Sequence, residues 1–217
     1  MRRILLAVIL ICGCAKESEK VPERPAAERK PETPSAGVVE KKSVEMLPFD
    51  GAALGKDEYS GAIIGGAHWN DRAGENTLVV SQSMSKTENG TMQKIHGYLY
   101  RQGAGDRTLL WKIEDGAENW CDEGKGLASD IVVRDIDGDG IAENAFIYNI
   151  AGACDVSPIP YKLMLHSGAT KYAIRGESRV DAGDTTLGGA KEFDPAFRTA
   201  PAGFRAFASK LWDEKVR

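Results

Sequence analysis

Short runs of β-forming residues, each ended by a turn rich in Gly, Asp or Asn, constrain this fold more than any other feature of the sequence. From Gly61 onward the runs fall into pairs, and one such turn separates the members of each pair. The paired runs cover residues 62–69 and 77–83, 94–102 and 107–115, 129–135 and 144–150, and 162–167 and 171–176. This pattern predicts a mainly antiparallel β fold, a meander of about four hairpins that forms a sandwich or a partly closed barrel.

The end of the chain has a different period. After Pro201 the apolar side chains recur at the spacing of one helix face. The residues on this face are Phe204, Phe207, Ala208, Leu211 and Trp212. The sequence therefore predicts a C-terminal amphipathic helix at about residues 201–215 that packs on the sheet.

The first fourteen residues have the layout of an export signal. Arg2 and Arg3 precede an apolar run over residues 4–12, and a glycine stands directly before Cys14. The apolar run is shorter than the roughly 17–25 residues that a membrane-spanning helix needs. We therefore expect a signal peptide over residues 1–13.

Residues 11–14 read Ile-Cys-Gly-Cys and resemble the bacterial lipoprotein cleavage box. In that box the cysteine after a small residue is diacylated and becomes the new N-terminus, so the resemblance implies that Cys14 is lipidated. Cys12 fits the box less well because an isoleucine precedes it. Two acyl chains give stable anchoring, and Ala15 after the cysteine resembles cargo sent to the outer membrane. The expected location is therefore the cell envelope, with the membrane as a partner through the lipid; an ordinary cleaved leader is the alternative.

Residues 15–46 favour an extended tether over a folded element. They contain seven Lys or Arg, seven Glu, four Pro and no aromatic residue. Such a segment buries too little apolar surface to offset the entropy lost on ordering. The predicted organisation is therefore a lipidated cysteine and disordered tether over residues 14–46, followed by a β-rich domain over residues 47–217.

The charge of the chain argues against one class of partner. The chain has 28 Lys and Arg against 32 Asp and Glu, which gives a formal net charge of −4. Proteins that bind nucleic acid carry a basic excess to contact phosphates. We therefore expect no nucleic-acid partner.

The segment from Asp135 to Glu143, Asp-Ile-Asp-Gly-Asp-Gly-Ile-Ala-Glu, has the spacing of a cation-binding loop. Alternate carboxylates converge as such a loop curls, a glycine permits the sharp turn, and a backbone carbonyl supplies a further oxygen. The candidate ligands are Asp135, Asp137, Asp139, the carbonyl of Ile141 and Glu143. Oxygen ligands with no nearby His or Cys favour Ca²⁺ over Zn²⁺.

The loop is not a complete EF-hand, because Phe146 stands where an EF-hand has its closing bidentate Glu. Its flanks are strand-like, and in this it resembles the calcium loops of FG-GAP and integrin-type β repeats. That resemblance implies a structural Ca²⁺ held between two strands. A metal-free Asp-Gly turn, a manganese DxD site and a magnesium-dependent phosphoryl site are the alternatives.

Cys121 and Cys154 are the two cysteines of the predicted domain. Two thiols in an exported domain favour a disulfide. If residues 134 and 144 face each other across the Asp-rich loop, Cys154 lies opposite residue 124 and close to Cys121. We therefore predict a disulfide between Cys121 and Cys154 at the open end of that hairpin; two free thiols are the alternative.

The sequence assigns no catalytic residue. No Gly-x-Ser-x-Gly motif marks a nucleophile, and the neighbouring acidic pairs fall in predicted turns, where acids are expected. Trp69, Trp111 and Trp120 could stack on sugar rings, although large aromatic residues in a small β domain are more often core residues.

Several segments in order along the chain resemble one group of bacterial exported proteins, labelled surface polysaccharide biosynthesis proteins. The similar segments are HWNDRAGENTLVVS, LLWKIEDG, DIDGDGIAENAFIY, CDVSP, KLMLHSGATKYAIRG and the terminal KLWDE. They span roughly residues 61–213, which is nearly the whole predicted domain. The resemblance implies a cell-envelope protein associated with surface glycans, and it implies no catalytic residues.

These observations favour a lipid-anchored envelope protein whose calcium-braced β domain is a non-catalytic binding or assembly module. An envelope glycan or protein is the expected partner. The alternative is a metal-dependent enzyme of surface glycan metabolism that uses the Asp-rich loop.

Overall fold

The computed structural model describes residues 43–217, which form a mainly antiparallel β structure that ends in an α-helix. The predicted signal peptide, Cys14 and the tether up to residue 42 lie outside the described residues.

The first half of the domain is a five-stranded meander in which every neighbouring pair is antiparallel. Its strands are β1 (Glu45–Leu47), β2 (Ala62–Asp71), β3 (Gly74–Lys86), β4 (Thr91–Gln102) and β5 (Arg107–Asn119). Because the strands pair in chain order, β1 and β5 are the two edges of this first sheet.

The second half forms another antiparallel sheet and a helix. Its elements are β6 (Glu123–Leu127), β7 (Val132–Arg134), β8 (Glu143–Ala151), β9 (Pro160–Ser167), β10 (Thr170–Glu177), β11 (Arg179–Ala182), β12 (Thr185–Gly188), β13 (Lys191–Phe193) and α1 (Phe204–Lys215). The second sheet has the order β13-β10-β9-β8, and β6 and β7 in turn pair with the other edge of β8. β11 and β12 form a separate two-stranded ribbon, and short 3-10 turns occupy Gly51–Ala53 and Pro195–Arg198.

Two apolar cores divide the domain into layers. The first core lies between the sheets and joins residues such as Trp69, Leu78 and Ile95 of the first sheet to Phe146 and Tyr148 of the second. The second core lies on the opposite face of the second sheet. It buries the sheet residues Ile147, Leu163, Leu165 and Ile174 against Phe204, Ala208, Leu211 and Trp212 of α1. The order of layers is therefore sheet, sheet, helix.

β8 is the central strand of this arrangement, and every residue from Glu143 to Ile150 is buried. Successive side chains of a strand point to opposite faces, so Phe146 and Tyr148 enter the first core while Ala145 and Ile147 enter the second. A strand that is covered on both faces needs a continuous apolar run, and the Asn-Ala-Phe-Ile-Tyr-Asn-Ile sequence largely supplies it.

The predicted fold class is confirmed: the structure is mainly antiparallel β with a C-terminal helix, and the described strands form no closed barrel. Each of the paired runs coincides with strand, although residues 129–135 contribute only the short β7. The helix begins at Phe204, after Gly203, rather than at residue 201. The strands β1, β6 and β11–β13 were not predicted.

β1 includes Glu45 and Met46, which the composition placed in the tether. Both side chains are exposed, and the strand is held by antiparallel pairing with β2 instead. Backbone pairing at a sheet edge needs no apolar side chain, so composition could not detect this strand. After β1, the ring of Phe49 packs against the first sheet at Gly66, where a Cβ atom would collide with it.

Within residues 43–217, no helix has both the length and the apolar character that crossing a bilayer requires.

Candidate metal centre

The Asp-rich segment forms the loop between β7 and β8, and its own backbone shapes it. The backbone N–H groups of Gly138 and Gly140 donate to the two carboxylate oxygens of Asp135, at 2.7 and 3.0 Å. Both glycines have positive φ angles, 80° and 86°, a conformation that other residues rarely adopt. The glycines therefore let the loop curl around the Asp135 side chain.

Three carboxylates converge in this loop. Asp135, Asp137 and Glu143 each offer an oxygen, and these oxygens lie within 4.8 Å of one another. Asp137 is exposed, Asp135 is partly buried and Glu143 is buried. Such a group could hold a metal ion, and its all-oxygen donor set suits a hard cation.

Glu143 is the buried member of this triad, with only 2% of its surface exposed. Its Oε2 accepts a hydrogen bond from the backbone N–H of Ile136 at 2.8 Å, whereas the buried Oε1 has no hydrogen-bond partner among residues 43–217. Burial raises the pKa of Glu143 to about 7, against the opposing effects of the Ile136 N–H and the Ser167 side chain. A buried carboxylate with an unsatisfied oxygen, beside two further carboxylates, is an environment that a bound cation would stabilise.

Asp139 is oriented differently. Its Oδ1 accepts from the backbone N–H of Ile141 at 2.7 Å, and its Oδ2 lies 3.7 Å from the guanidinium of Arg72. The structure thus brings together Asp135, Asp137 and Glu143 and does not include Asp139 in the group. The role of the Ile141 carbonyl as a ligand stays a prediction.

The loop is also attached to the first sheet. The backbone N–H of Arg72, in the turn between β2 and β3, donates to the carbonyl of Gly140 at 2.9 Å. The N–H of Ala142 donates to Oδ2 of the buried Asp71 at 3.2 Å. The same Oδ2 accepts from the indole N–H of Trp69 at 2.9 Å. The Asp-rich loop therefore connects the two sheets at the end where β8 begins.

The opposite end of β8 carries a second connection. Cys121 and Cys154 lie at disulfide-bonding distance, with their Cα atoms 5.5 Å apart. Cys121 lies where the chain crosses from β5 in the first sheet to β6 in the second. The predicted pairing is therefore supported, although the register behind it is wrong by one position: Arg134 faces Glu143, because Glu143 already belongs to β8.

A buried amide reinforces this crossover. Gln93 of β4 has no exposed surface; its Oε1 accepts from the N–H of Gly124 at 2.8 Å and its Nε2 donates to the carbonyl of Gly124 at 2.9 Å. The side chain of Asn119 donates to the carbonyl of Ile150 at 2.9 Å. β8 is thus linked to the first sheet at both ends.

The three tryptophans predicted as stacking candidates have separate environments. Trp69 and Trp111 are 1% and 8% exposed and belong to the first core, and Trp111 stacks on His166 with ring centroids 3.9 Å apart. Neither indole face is open to a sugar ring, so the stacking prediction is corrected for both. Trp120, which is 78% exposed, remains a candidate.

The sequence did not reveal Asp71, Trp69 and Gln93 as connecting residues. Asp71 follows the run over residues 62–69, in a segment predicted as a polar turn, where an acidic residue is expected for solubility, whereas in the structure it is the last residue of β2. The signal that could have identified it is the alternation in β2, which places Trp69 and Asp71 on the same face of the strand.

Comparison with protein-family models, curated proteins and solved structures finds no match.

Proposed function

We propose that this chain is a lipid-anchored cell-envelope protein whose β domain is braced by Ca²⁺ and acts as a non-catalytic binding or assembly module. The main support for a calcium brace is the position of the Asp-rich loop. The loop holds the carboxylate triad and also makes the backbone hydrogen bonds to Arg72 and Asp71 that connect the two sheets. A cation that fixes the loop would stabilise this connection.

Calcium fits the donor set better than the other cations considered. Ca²⁺ accepts six to eight oxygen ligands in a flexible geometry, so backbone carbonyls and water can complete a site that begins with three carboxylates. Mg²⁺ demands a nearly ideal octahedron and loses its own water reluctantly. The Asp-rich loop is shaped by its own backbone and holds one buried carboxylate, and such a site is closer to the flexible coordination of Ca²⁺.

One observation favours the alternative, a metal-dependent enzyme of surface glycan metabolism. Asp137 is exposed, so an ion held by the triad would have one side towards solvent, as a catalytic metal needs. The two functions differ in the effect of Asp137→Ala. Loss of the brace lowers the melting temperature, whereas loss of a catalytic metal abolishes a glycan phenotype and leaves the melting temperature unchanged.

The lipid anchor is tested at the two N-terminal cysteines. In bacterial cells fed a labelled fatty acid, the wild-type chain and Cys12→Ser should incorporate label and Cys14→Ser should not. Equal labelling of Cys14→Ser and wild type would reject the anchor at Cys14.

The binding role is tested by capture from envelope fractions. The 217-residue chain, in detergent, is immobilised in Ca²⁺ and, as a control, after heat denaturation. We expect a glycan or protein to be retained by the native chain and released by a chelator. Retention no greater than on the denatured control would count against a binding module.

A further inference from the structure

A cleft opens between the β5 edge of the first sheet and the inner face of the second. Its wider part has a volume of about 310 Å³ and is lined by β5 on one side and by β8, β9 and β10 on the other. A smaller recess of about 180 Å³ adjoins it. The two parts share the lining residues Asp115, Tyr148 and Lys162, so they are adjacent.

The wider part is basic although the chain is acidic. It is lined by the cations Lys112, Lys162, Lys171 and Arg175 and by the carboxylates Glu114 and Asp115. Four positive and two negative side chains give a local charge of +2, against −4 for the chain. Local fields, more than net charge, decide which ligands a cleft attracts.

Both carboxylates of the cleft are already engaged. Oδ2 of Asp115 accepts from the hydroxyl of Tyr148 at 2.9 Å and from the ammonium of Lys162. Burial and the Asp115 charge raise the pKa of Tyr148, which therefore stays a neutral hydroxyl that donates to Asp115. Glu114 accepts from Lys94 at 2.9 Å and lies 3.6 Å from Lys112.

Positive charge remains on the floor of the cleft. Lys162 on β9 and Arg175 on β10 are directly opposite each other in the register, and like charges in that position repel. Arg175 reaches Asp194 only at 3.6 Å. Lys171 is exposed on the same face of β10 as Arg175, and within residues 43–217 it makes no ion pair. An anion bound here would relieve the repulsion and pair with Lys171.

The recess is more apolar than the wider part. Beyond the shared Asp115, Tyr148 and Lys162 it is lined by Asn149 and by small or apolar residues that include Ala117, Ile150 and Pro160, so most of its wall is apolar. A ligand that fills both parts therefore carries its anionic group at one end and a compact uncharged body at the other. The combined size is in the range of small-molecule sites, which begin at about 300 Å³.

We infer that this cleft binds a sugar ring that carries an anionic group, a carboxylate or a phosphate. The anion lies between Lys171 and Arg175, and the ring enters the recess beside Ile150. This cleft would be the binding site of the proposed module, and its charge would select the ligand. The choice of a sugar ring rests on the proposed function, whereas the anionic group follows from the cleft. The anion site does not depend on the calcium loop.

The test is an NMR titration of the 217-residue chain, in detergent and Ca²⁺, with glucuronate, glucose 6-phosphate and glucose. We expect both anions to bind and glucose not to bind, and the tighter anion identifies the carboxylate or phosphate class. Lys171→Glu should weaken binding about tenfold or more, the value of one charge-assisted contact. The matched control is Lys210→Glu, because Lys210 is 79% exposed on α1, across the second sheet from the cleft. It should leave the affinity within about twofold, since distant exposed charges are screened.

Three results would overturn the inference: no binding of either anion, equal binding of glucose, or equal losses in Lys171→Glu and Lys210→Glu. Lys171 is exposed, so its variant should melt at the wild-type temperature, and this is measured alongside. Retention of a neutral glycan from envelope fractions, without binding of either anion, would leave the binding module intact and reject the anionic ligand.

Discussion

The arrangement of the Asp-rich loop predicts that two neighbouring aspartates contribute unequally to calcium affinity. Asp137 belongs to the carboxylate triad, whereas Asp139 faces Ile141 and Arg72. Asp137→Asn and Asp139→Asn remove the same charge from the same loop and keep side-chain size and an acceptor oxygen. The pair of variants therefore isolates the position of the charge.

The expected size of the difference follows from the exposure of the site. Asp137 is exposed, so the dielectric constant of water applies, and a unit charge about 4 Å from a divalent ion contributes about 2 kcal/mol. The dissociation constant of Asp137→Asn for Ca²⁺ should therefore be about thirtyfold larger than that of the wild type. Asp139 lies beside an arginine, and its interaction with the ion is screened by salt, so Asp139→Asn should stay within about threefold of wild type.

The assay is calorimetric titration with Ca²⁺ near physiological ionic strength, for wild type and both variants. Thermal unfolding of each variant in chelator checks that the apo domain is intact. Asp137→Asn should be no less stable than wild type there, because it removes a charge from a crowded acidic loop. Equal losses of affinity in the two variants, or a larger loss in Asp139→Asn, would refute the assignment of the triad.

Three further predictions concern stability. Reduction of the Cys121–Cys154 pair, whose members are 33 residues apart, should lower the free energy of unfolding by about 3–4 kcal/mol. Urea unfolding with and without reductant measures this difference, and no difference would mean that the pair is not bonded. Burial lowers the pKa of His166 to about 3, below the unfolded value of about 6.5. Between these two pH values the unfolded chain binds a proton that the folded chain excludes. The free energy of unfolding should therefore fall by about 1.4 kcal/mol per pH unit as the pH drops from 6.5 towards 3. The pH slope should be shallower in His166→Phe, and an unchanged slope would contradict the assignment. Trp212 is 3% exposed, so Trp212→Ala should lower the free energy of unfolding by about 3–5 kcal/mol. Trp120 is 78% exposed, so Trp120→Ala should change it by less than about 0.5 kcal/mol.

The sequence predicted the features that depend on local pattern. The strands and turns of the hairpins, the apolar face of α1 and the cation-loop spacing each lie within one short segment, where backbone preference and side-chain period act directly. The disulfide partners could also be predicted, because the domain has two cysteines and a hairpin brings them together.

The features that pattern could not show depend on contacts between distant segments. β1 pairs through its backbone, so exposed Glu45 and Met46 carry no signal for it. Asp71 meets Ala142 across 71 positions of the chain. The basic cleft brings Lys112 of one sheet near Lys171 of the other, although neither lies in a basic run of the sequence.

Trp69 and Trp111 show how one residue type allowed two interpretations. An aromatic residue in a β domain can stack on a ligand or fill the core. Layer order decided between them, since both tryptophans face the space between the sheets. The sequence could not specify that order, because strand alternation does not tell which of two faces is covered.

Thermal unfolding of the oxidised 217-residue chain in about 1 mM Ca²⁺, in about 1 mM Mg²⁺ and in excess chelator decides whether Ca²⁺ braces the two sheets. At about 100 times its dissociation constant a ligand adds about 2.7 kcal/mol to the free energy of unfolding. For a domain of this size that raises the melting temperature by about 5–10 °C. A calcium brace predicts this rise in Ca²⁺ and a much smaller one in Mg²⁺. No rise in Ca²⁺, or an equal rise in Mg²⁺, would contradict it.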